Sequence, residues 1–516
     1  MDENWVHATL RWLQADEAPP LGESVVSAIN HAPIAELEHF VESLSAVASE
    51  YPRSGAKSRV PLQCVAGQLK SLREEGGVDP RLLRLDPDIL SSAYEVLGND
   101  QPMAAAHLIQ MLAIQSDDDS LAALARSIEA MPPASWQATA VGLSPLWNAD
   151  GETLLALFHQ LDGSLMQASV LSVVLDLAGH AVRSEKLTEH PWATRGDQFR
   201  KLLQSVIGQL RTLQADPSKF GDDVDTVQSA LHDGVALAIA LCDALGLIGH
   251  KAAKGELEDA MELAHRRIQT EAAGALARMG DEMGKKHLVT LAADRVARQR
   301  AVAYAEELGC AESIAEEFRS AAAIAESQLA GWLSEPPQYG IAPSGMELVD
   351  ERTMYWPSYD EPRECFLFRY WFNFPAGKVQ NLGIAGPVCH AFSDNLESLS
   401  HDDIYAAFAG WHAEHDDIFA VPAHLLNPAQ RREADNLLHR VYELDFVEVK
   451  LEALTFFLGT VAILAVAQKT GRNVTIVVDD QECLSMPRSE APGSLTSELV
   501  LAIYRGRKLL RSFNGV

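Results

Sequence analysis

The stretch AAGALARMGDEMGKKHLVTLAADRVARQR, residues 272–300, indicates the fold of the N-terminal part of this chain. It reads as an Ala/Leu-rich helix, a glycine, a polar turn, a second apolar helix and then basic residues. The stretch LCDALGLIGHKAAKGELEDAMELAHRR, residues 241–267, has the same order, and AVAYAEELGCAESIAEEF, residues 301–318, begins a third copy. This pattern predicts an internal repeat, and a repeat determines the architecture of a chain before any single motif does.

The first helix of each copy ends at a glycine, and these are Gly249, Gly280 and Gly309. We predict a left-handed backbone at all three glycines, because helices commonly end in that conformation and glycine adopts it without a steric penalty. A basic pair precedes the next inner helix in two copies. It is Arg266–Arg267 in one copy and Arg298 with Arg300 in the next.

The sequence over about 235–310, through AAGALARMGDE and LVTLAADRVARQRAVAYAEELG, resembles the short HEAT-like repeat proteins. The similarity becomes diffuse over roughly 60–234. The resemblance implies an α-solenoid, a stack of helix pairs that presents a long surface to a protein partner. It implies no reaction. The alternative is an irregular α-helical bundle whose Ala/Leu-rich segments are similar by accident.

The composition divides the chain into four parts. We predict an N-terminal helical cap at 1–60, a HEAT-like α-solenoid at 61–330, a linker at 331–344 and an α+β domain at 345–516. The linker sequence WLSEPPQYGIAPSG is rich in proline and glycine, which interrupt helices. The fold class is therefore multidomain, an all-α part followed by an α+β part with a mainly antiparallel sheet.

Within the C-terminal part, RECFLFRYWFNFPAGK alternates as a strand does and ends in a turn. We predict helices at 402–415 and 428–442, and a hairpin that turns at KTGR between two β-rich runs. The last segment, SELVLAIYRGRKLLRSFN, we interpret as a final hairpin turning at residues 505–507. Its four bases would then be a solvated edge that resists strand pairing.

Charge and cysteine content restrict the function classes. The net charge is −30, with 47 acids and 27 bases before residue 331 and 25 acids and 15 bases after it, so nucleic-acid binding is disfavoured. Six cysteines without a CxxC pair suit a reducing compartment. The start MDENWVHATL has no signal-peptide core, and the apolar runs at 235–249 and 454–467 are shorter than a membrane span. We predict a cytoplasmic protein without a membrane contact.

The stretch HDDIYAAFAGWHAEHDDIF, residues 401–419, is a candidate metal site. His412 and His415 are three residues apart, one fewer than in the zinc motif HExxH. A pair at this spacing can still share a ligand. A third ligand would come from His390, His401, Asp416 or Cys389.

The alternative for this stretch is a packed amphipathic helix. Its apolar residues recur at helical spacing, so that they form one stripe. The stripe consists of Ile404, Phe408, Trp411 and His415. Asp402 and Asp403 stand at the helix start, where the helix dipole favours acids.

Two further pairs carry chemistry in principle. Cys389 and His390 could form a nucleophile and base, but neighbours on a strand point to opposite faces, which favours a turn in the core. Asp479 and Asp480 follow a strand and could bind a divalent cation or open a turn. No nucleotide loop, GxSxG elbow or zinc ribbon is present in the sequence, and we predict no cofactor.

The sequence therefore favours a non-enzymatic protein-interaction scaffold, with the solenoid surface binding a protein partner that has basic patches. The C-terminal α+β domain would cap the solenoid or form a second binding module. The alternative is a metal-dependent enzyme, possibly a hydrolase, with its site in the C-terminal domain and ligands among His390, His412, His415, Asp416, Asp479 and Asp480.

Overall fold

A computed structural model of the chain divides into two compact units. The first unit comprises Met1–Thr290 and Tyr304–Cys310, and the second comprises Leu291–Ala303 and Ala311–Val516. The structure describes residues 5–15, 21–50, 57–74, 79–98, 101–161, 167–221, 223–335, 337–413, 417–489 and 493–515.

Helices alone form the first unit over its described residues, and the boundary between the units falls before Leu291, the last residue of α15, and again within α16, before Tyr304. They are α1 (Trp5–Gln14), α2 (Glu23–Ile29), α3 (Ile34–Glu50), α4 (Arg59–Glu74), α5 (Pro87–Leu97), α6 (Pro102–Gln115), α7 (Asp118–Ala130), α8 (Trp136–Leu143), α9 (Gly151–Gln160), α10 (Ala168–Arg183), α11 (Gly196–Ala215), α12 (Val224–Ile248), α13 (Lys254–Met261), α14 (Arg266–Arg278), α15 (Glu282–Leu291) and α16 (Arg298–Glu307).

These helices pack in two rows. In the even row, α2, α4, α6, α8, α10, α12 and α14 each pack against the next member. In the odd row, α3, α5, α7 and α9 do the same, and α11 packs against α13. Sequence neighbours such as α5 and α6, or α13 and α14, join the rows. The apolar faces of the helices are thereby buried between the rows, as the helical periodicity of the sequence predicts.

The prediction for the three glycines is confirmed. Gly249, Gly280 and Gly309 have φ angles of 70°, 84° and 65°. The residue after each glycine donates its backbone N–H to the carbonyl five residues earlier, at 3.1, 2.9 and 2.8 Å. Three alternate helices, α12, α14 and α16, therefore end in the same Schellman motif.

The apolar run at 235–249 is part of a longer helix than its sequence suggested. Among the helices of the described residues, α12 alone is long enough and apolar enough to cross a membrane. It has 25 residues and a mean hydropathy of 1.7 over its most apolar window. Of that window, 61% is buried inside the protein. This burial, and the ion pairs of Asp243 near the end of the helix, are typical of a core helix rather than a span.

The second unit contains two antiparallel sheets. The first has the order β1-β2-β3-β4, and the second has the order β5-β6-β7-β8-β9. Its elements after α16 are α17 (Glu316–Arg319), α18 (Ala321–Leu333), β1 (Gly345–Met354), β2 (Arg363–Phe374), β3 (Gly377–Ala385), β4 (His390–Ala391), α19 (His401–His412), β5 (Ile418–Pro422), α20 (Pro428–Glu443), β6 (Val447–Phe457), β7 (Thr460–Lys469), β8 (Arg472–Val478), β9 (Cys483–Pro487) and α21 (Ser497–Asn514).

The elements of the second unit form five layers. Helix α18 packs on the outer face of the first sheet through Leu329 and Leu333. Helices α19 and α21 lie between the two sheets, and α20 covers the outer face of the second sheet through Leu437 and Val441. Helix α18 precedes the predicted linker at 331–344 and extends into it, yet its apolar side contacts the sheet that follows.

This layer order contains an internal duplication. The first half runs α18-β1-β2-β3-β4-α19 and the second half runs α20-β6-β7-β8-β9-α21. Strand β5 is the one strand of the described residues that has no counterpart in the first half. One bulge also corresponds: β1 has an extra residue between Leu348 and Asp350, and β6 has one between Leu451 and Ala453, at equivalent positions along the neighbouring strand. Strand β6 has a second register shift, between Val447 and Lys450.

The two halves meet where α19 crosses α21. A Cβ on Gly410 would lie 1.9 Å from the carbonyl oxygen of Ala502, and one on Gly506 would lie 1.7 Å from that of Ala406. The contacts are reciprocal, so a pseudo-twofold axis relates the helices. Both pairs are 96 residues apart, as are the capping residues Ser400 and Thr496.

The C-terminal predictions have mixed outcomes. The second helix, predicted at 428–442, is confirmed as α20, and the KTGR hairpin is confirmed by the pairing of Lys469 with Arg472. The final hairpin is wrong, because SELVLAIYRGRKLLRSFN forms the helix α21 with an N-cap at Thr496. The helix predicted at 402–415 ends at His412.

Candidate functional site

His390 is part of an aromatic cluster. Its ring stacks on Trp411, with centroids 3.7 Å apart and an interplanar angle of 12°, and contacts Phe392 edge-on at 4.8 Å. Burial lowers the pKa of His390 to about 4, so the ring is neutral at pH 7. A neutral ring held by apolar neighbours fits a packing role.

His412 has a protein partner. Its Nδ1 accepts a hydrogen bond from Nε1 of Trp356 at 3.3 Å. Of the predicted stripe, Ile404 and Phe408 are buried, while Trp411 is 45% exposed beside His390. The remaining candidates in this stretch, His415 and Asp416, lie outside the described residues.

Asp479 and Asp480 have different environments. Asp479 is fully buried; it accepts hydrogen bonds from the Tyr504 hydroxyl at 2.5 Å and from Nζ of Lys508. Burial alone would raise the pKa of Asp479, but hydrogen bonds from Lys508, Tyr504 and two backbone N–H groups outweigh it and lower the pKa to about 2. Asp480 is exposed to solvent. Asp479 is thus the anchor of α21 on the end of β8.

The four bases of α21 are paired, so they form no free basic patch. Arg505 donates to Oγ1 of Thr455 at 2.7 Å. The other three are held by acids: Arg507 by Asp403, Lys508 by Asp479 and Arg511 by Glu482.

Metal or thiol chemistry gains no support from the described part of the second unit. In the residues that the structure describes, no group of three or more His, Cys, Asp or Glu side chains is placed to hold a metal ion. Burial raises the pKa of Cys389 to about 11, which disfavours the nucleophilic thiolate. His401, the other candidate ligand, pairs with Asp350 at 3.3 Å.

A denser polar cluster lies in the first unit, around Asp243 of α12. The carboxylate is 3% exposed and accepts from Nη1 of Arg183 in α10 at 2.5 Å. It also accepts from Nη1 of Arg278 in α14 and the hydroxyl of Tyr304 in α16, both at 3.3 Å. Tyr304 additionally contacts Glu271 of α14. We call these five residues the Asp243 network.

Two glycines make room for the Asp243 network. A Cβ on Gly179 would lie 2.7 Å from Oδ2 of Asp243, and one on Gly274 would lie 2.5 Å from the ring of Tyr304. Glycine inside a helix costs about 1 kcal/mol relative to alanine. These two positions therefore exchange helix stability for close approach of polar groups.

Asp176 of α10 stands next to the network on the solvent side. Its carboxyl keeps contact with water but is crowded by the packed helices. This desolvation raises the pKa of Asp176 to about 6, and the charges of Asp243 and Glu271 act in the same direction. Carboxyl groups with raised pKa values that remain accessible are candidates for functional contacts.

The sequence reasoning missed the Asp243 network. One signal was present, because Asp243 is a lone acid within the apolar run of α12, and a buried acid needs partners. Its partners, however, come from three other helices, and sequence spacing alone does not identify them.

No protein family, curated protein or solved structure matches this chain. Its function is therefore inferred from its own geometry. The HEAT-like architecture stays a prediction.

Proposed function

We propose that the first unit is a HEAT-like α-solenoid that binds a protein partner along its even row of helices. The observation that carries this proposal is the two-row packing, in which the even row is continuous from α2 to α14, the odd row runs from α3 to α9 and again from α11 to α13, and sequence neighbours join the rows. Such stacks present an extended surface made of one helix from each pair.

Repeated hydrogen bonds support the same architecture. Gln269 of α14 donates to the carbonyl of Leu263 at 2.6 Å, and Arg298, in the part of α16 that belongs to the second unit, donates to the carbonyl of Ala292 at 3.0 Å. Donor and acceptor are six residues apart in both cases, and the two donors are separated by the same interval as Gly280 and Gly309. A bundle without repeats has no reason to place equivalent contacts at equivalent intervals.

The charge of residues 1–330 as a whole, together with one carboxyl of the even row, favours a basic partner. Residues before 331 carry 47 acids against 27 bases. Asp176 is accessible on this row, and burial and the charges of Asp243 and Glu271 raise its pKa more than Arg183 and Arg267 lower it, so its charged form is only partly compensated. A cationic side chain of a partner would supply that compensation and would release a proton on binding. The second unit would act as a second binding module.

Site-specific photo-crosslinking tests which surface binds. We would place a photo-reactive phenylalanine at Leu247, which is half-buried on α12 of the even row, and in a matched variant at Leu155, which is 40% exposed on α9 of the odd row. The expected result, in the native host, is a discrete crosslinked protein at Leu247 and none at Leu155. Equal crosslinking at both leucines, or none at either, would contradict the proposal.

The charge on Asp176 gives a second, quantitative test with the crosslinked partner once it is purified. Its affinity should rise between about pH 5 and pH 7 as Asp176 ionises, and should fall as salt is added. Asp176→Asn should remove most of the pH dependence. Binding that is equally strong at both pH values and at both low and high salt would rule out the electrostatic part.

A stability measurement shows whether Asp176 is strained in the free protein. Folding raises the pKa of Asp176, so the neutral form is favoured in the folded chain and stability falls as pH rises from about 4 to 6. Asp176→Asn should therefore raise the free energy of unfolding at pH 7 by about 1 kcal/mol, discounted because the group contacts water. The gain should vanish below about pH 4 in urea titrations.

A further inference from the structure

We propose that the outer edge of β1 binds an extended peptide segment of a partner protein, which adds to the first sheet as an antiparallel strand. The segment would be four to five residues long, with aliphatic or aromatic residues flanked by basic ones. This surface is separate from the even row of helices and does not depend on the partner proposed for it.

The internal duplication supplies the argument. Strand β6, the counterpart of β1, is not an edge, because β5 pairs with it from Ile418 opposite Phe457 to Pro422 opposite Ala453. Strand β1 stands at the edge of the first sheet and has no counterpart of β5 in the described part of the chain. In the second half, the short extended segment β5 thus pairs with β6. In the first half, the equivalent edge of β1 is open in the described residues.

The hydrogen-bonding groups on this edge can be identified. The carbonyl of Trp371 in β2 accepts a hydrogen bond from the backbone N–H of Ser344. The odd-numbered residues of β2 therefore direct their backbone N–H and C=O groups toward β1. Beyond the bulge, β1 pairs with those residues through Asp350, Arg352 and Met354. Alternate residues of a strand direct their backbone groups to opposite edges, so Glu351 and Thr353 point theirs outward.

Two further observations agree with this assignment. The backbone N–H and carbonyl of Tyr355, the next residue in the outward series, bond to the side-chain amide of Asn514, at 2.8 and 3.2 Å. In the second half, the counterparts of Glu351 and Thr353 are Leu454 and Phe456, and both pair with β5. The two residues of β1 thus hold the positions that a fifth strand occupies elsewhere in the same unit.

The charge and exposure of β1 indicate which kind of peptide would bind to its edge. Glu351 and Thr353 are exposed, and Leu348 is 41% exposed. Strand β1 carries three acids against one base, but Glu347 pairs with Arg369 and Asp350 pairs with Arg352, so exposed Glu351 is the acid that a basic residue of the peptide would meet first. Main-chain bonds would supply affinity in such an addition, while flanking lysines or arginines of the peptide would meet the acidic strand.

A synthetic peptide tests the proposal with the full chain. The probe is fluorescein-labelled KKIFAVPKK, the sequence of β5 between lysine pairs. Fluorescence anisotropy should show saturable binding, and hydrogen exchange read by mass spectrometry should slow in 347–354 when the peptide is added. A peptide with every internal amide N-methylated keeps the side chains and charges, and should not bind.

Variants of β1 separate backbone pairing from folding. Thr353→Pro removes one outward N–H and leaves the β1–β2 ladder intact, so it should weaken peptide binding by about tenfold or more with an unchanged melting temperature. Thr353→Val keeps the N–H and should bind within about twofold of the parent. Glu351→Lys should weaken binding about fivefold, whereas Glu433→Lys, an equal charge change on exposed α20, should not.

Three results would overturn the proposal. They are no exchange protection in 347–354 at saturating peptide, equal affinity of Thr353→Pro and the parent chain, and a dimer in sedimentation that Thr353→Pro dissociates. The last result would assign the edge to a second copy of the chain. None of these outcomes depends on crosslinking at Leu247, so the two proposals can fail separately.

Discussion

The two halves of the second unit share a backbone arrangement and differ in the polar groups that hold it. In both halves the helix between the sheets, α19 or α21, is N-capped and has an alanine and a glycine at the crossing. In both halves the strand that follows the outer helix, β1 after α18 and β6 after α20, has a bulge. At the position of His412 the second half has Lys508, which is bound to a buried acid, whereas His412 accepts one bond from Trp356. Close backbone contact therefore restricts both halves alike, while their polar anchors have diverged.

The largest effect should come from the helix crossing. Gly410→Ala and Gly506→Ala each push a methyl group into a carbonyl of the other helix, and each should cost about 4 kcal/mol or more of unfolding free energy. The similarity of the two losses is the test of the pseudo-twofold axis. Chemical denaturation of each variant measures it, alongside a check for folded protein.

Gly331→Ala is the matched control for these variants. Gly331 lies in α18 of the same unit, and nothing stands within 4 Å of a Cβ placed there. Alanine should stabilise the chain by about 0.5 kcal/mol at this position, because it has the higher helix propensity. Destabilisation by only one of the two crossing glycines would break the equivalence of the halves.

The buried anchor of the second half gives the next largest effect. Asp479→Ala leaves Lys508, whose side chain is 17% exposed, without its partner, and should cost about 3 kcal/mol. Asp480→Ala changes the adjacent exposed acid and should stay within about 0.5 kcal/mol of the parent. Equal losses of unfolding free energy at both positions would contradict the anchor role of Asp479. They would instead favour a shared role of Asp479 and Asp480, such as a cation site.

The same anchor predicts an acid limb in the stability profile. The pKa of Asp479 lies below its ordinary value in the folded chain, so its contribution is present above about pH 4 and is lost as pH falls toward 2. Asp479→Asn should flatten this limb. Urea titrations between pH 2 and pH 5 measure the difference between the variant and the parent chain.

The capping residues should behave alike in both halves. Ser400 accepts from the backbone N–H of Asp403, and Thr496 accepts from that of Leu499, both at 3.2 Å. Replacement of either by alanine should cost about 1 kcal/mol, and replacement by asparagine should restore most of it. Costs that differ by more than about twofold would show that the halves cap their inner helices by different means.

Local signals in the sequence predicted much of this fold. The glycines that end three repeat helices and the turn at KTGR were identified because left-handed turns and alternating runs depend on neighbouring residues. The sequence does not predict helix α21, because LVLAIY is a short apolar run that fits a strand or a buried helix and Gly506 fits a turn. Thr496, a capping residue before that run, was the available signal.

The internal duplication and the Asp243 network could not be predicted from short stretches of sequence, because both depend on contacts between distant segments. The halves share spacing more than residues: SLSHDDIYAAFAG and SLTSELVLAIYRG are identical at four of thirteen positions, and the capping residues Ser400 and Thr496 also align. The need for Gly410 and Gly506 arises only when α19 and α21 are placed together. In the same way, the partners of Asp243 become visible only once four helices are packed.

The smallest expected effect compares one position in the two halves. His412→Met removes a single hydrogen bond at 3.3 Å from a half-buried side chain and should cost about 0.5 kcal/mol. Lys508→Met, at the corresponding position, leaves the carboxylate of Asp479 buried without its cation and should cost about 3 kcal/mol. Denaturation of the two variants measures the ratio directly. A ratio near one would mean that His412 and Lys508 contribute equally to the free energy of unfolding. The two halves would then differ in the chemistry of their polar groups but not in the stability that these groups supply.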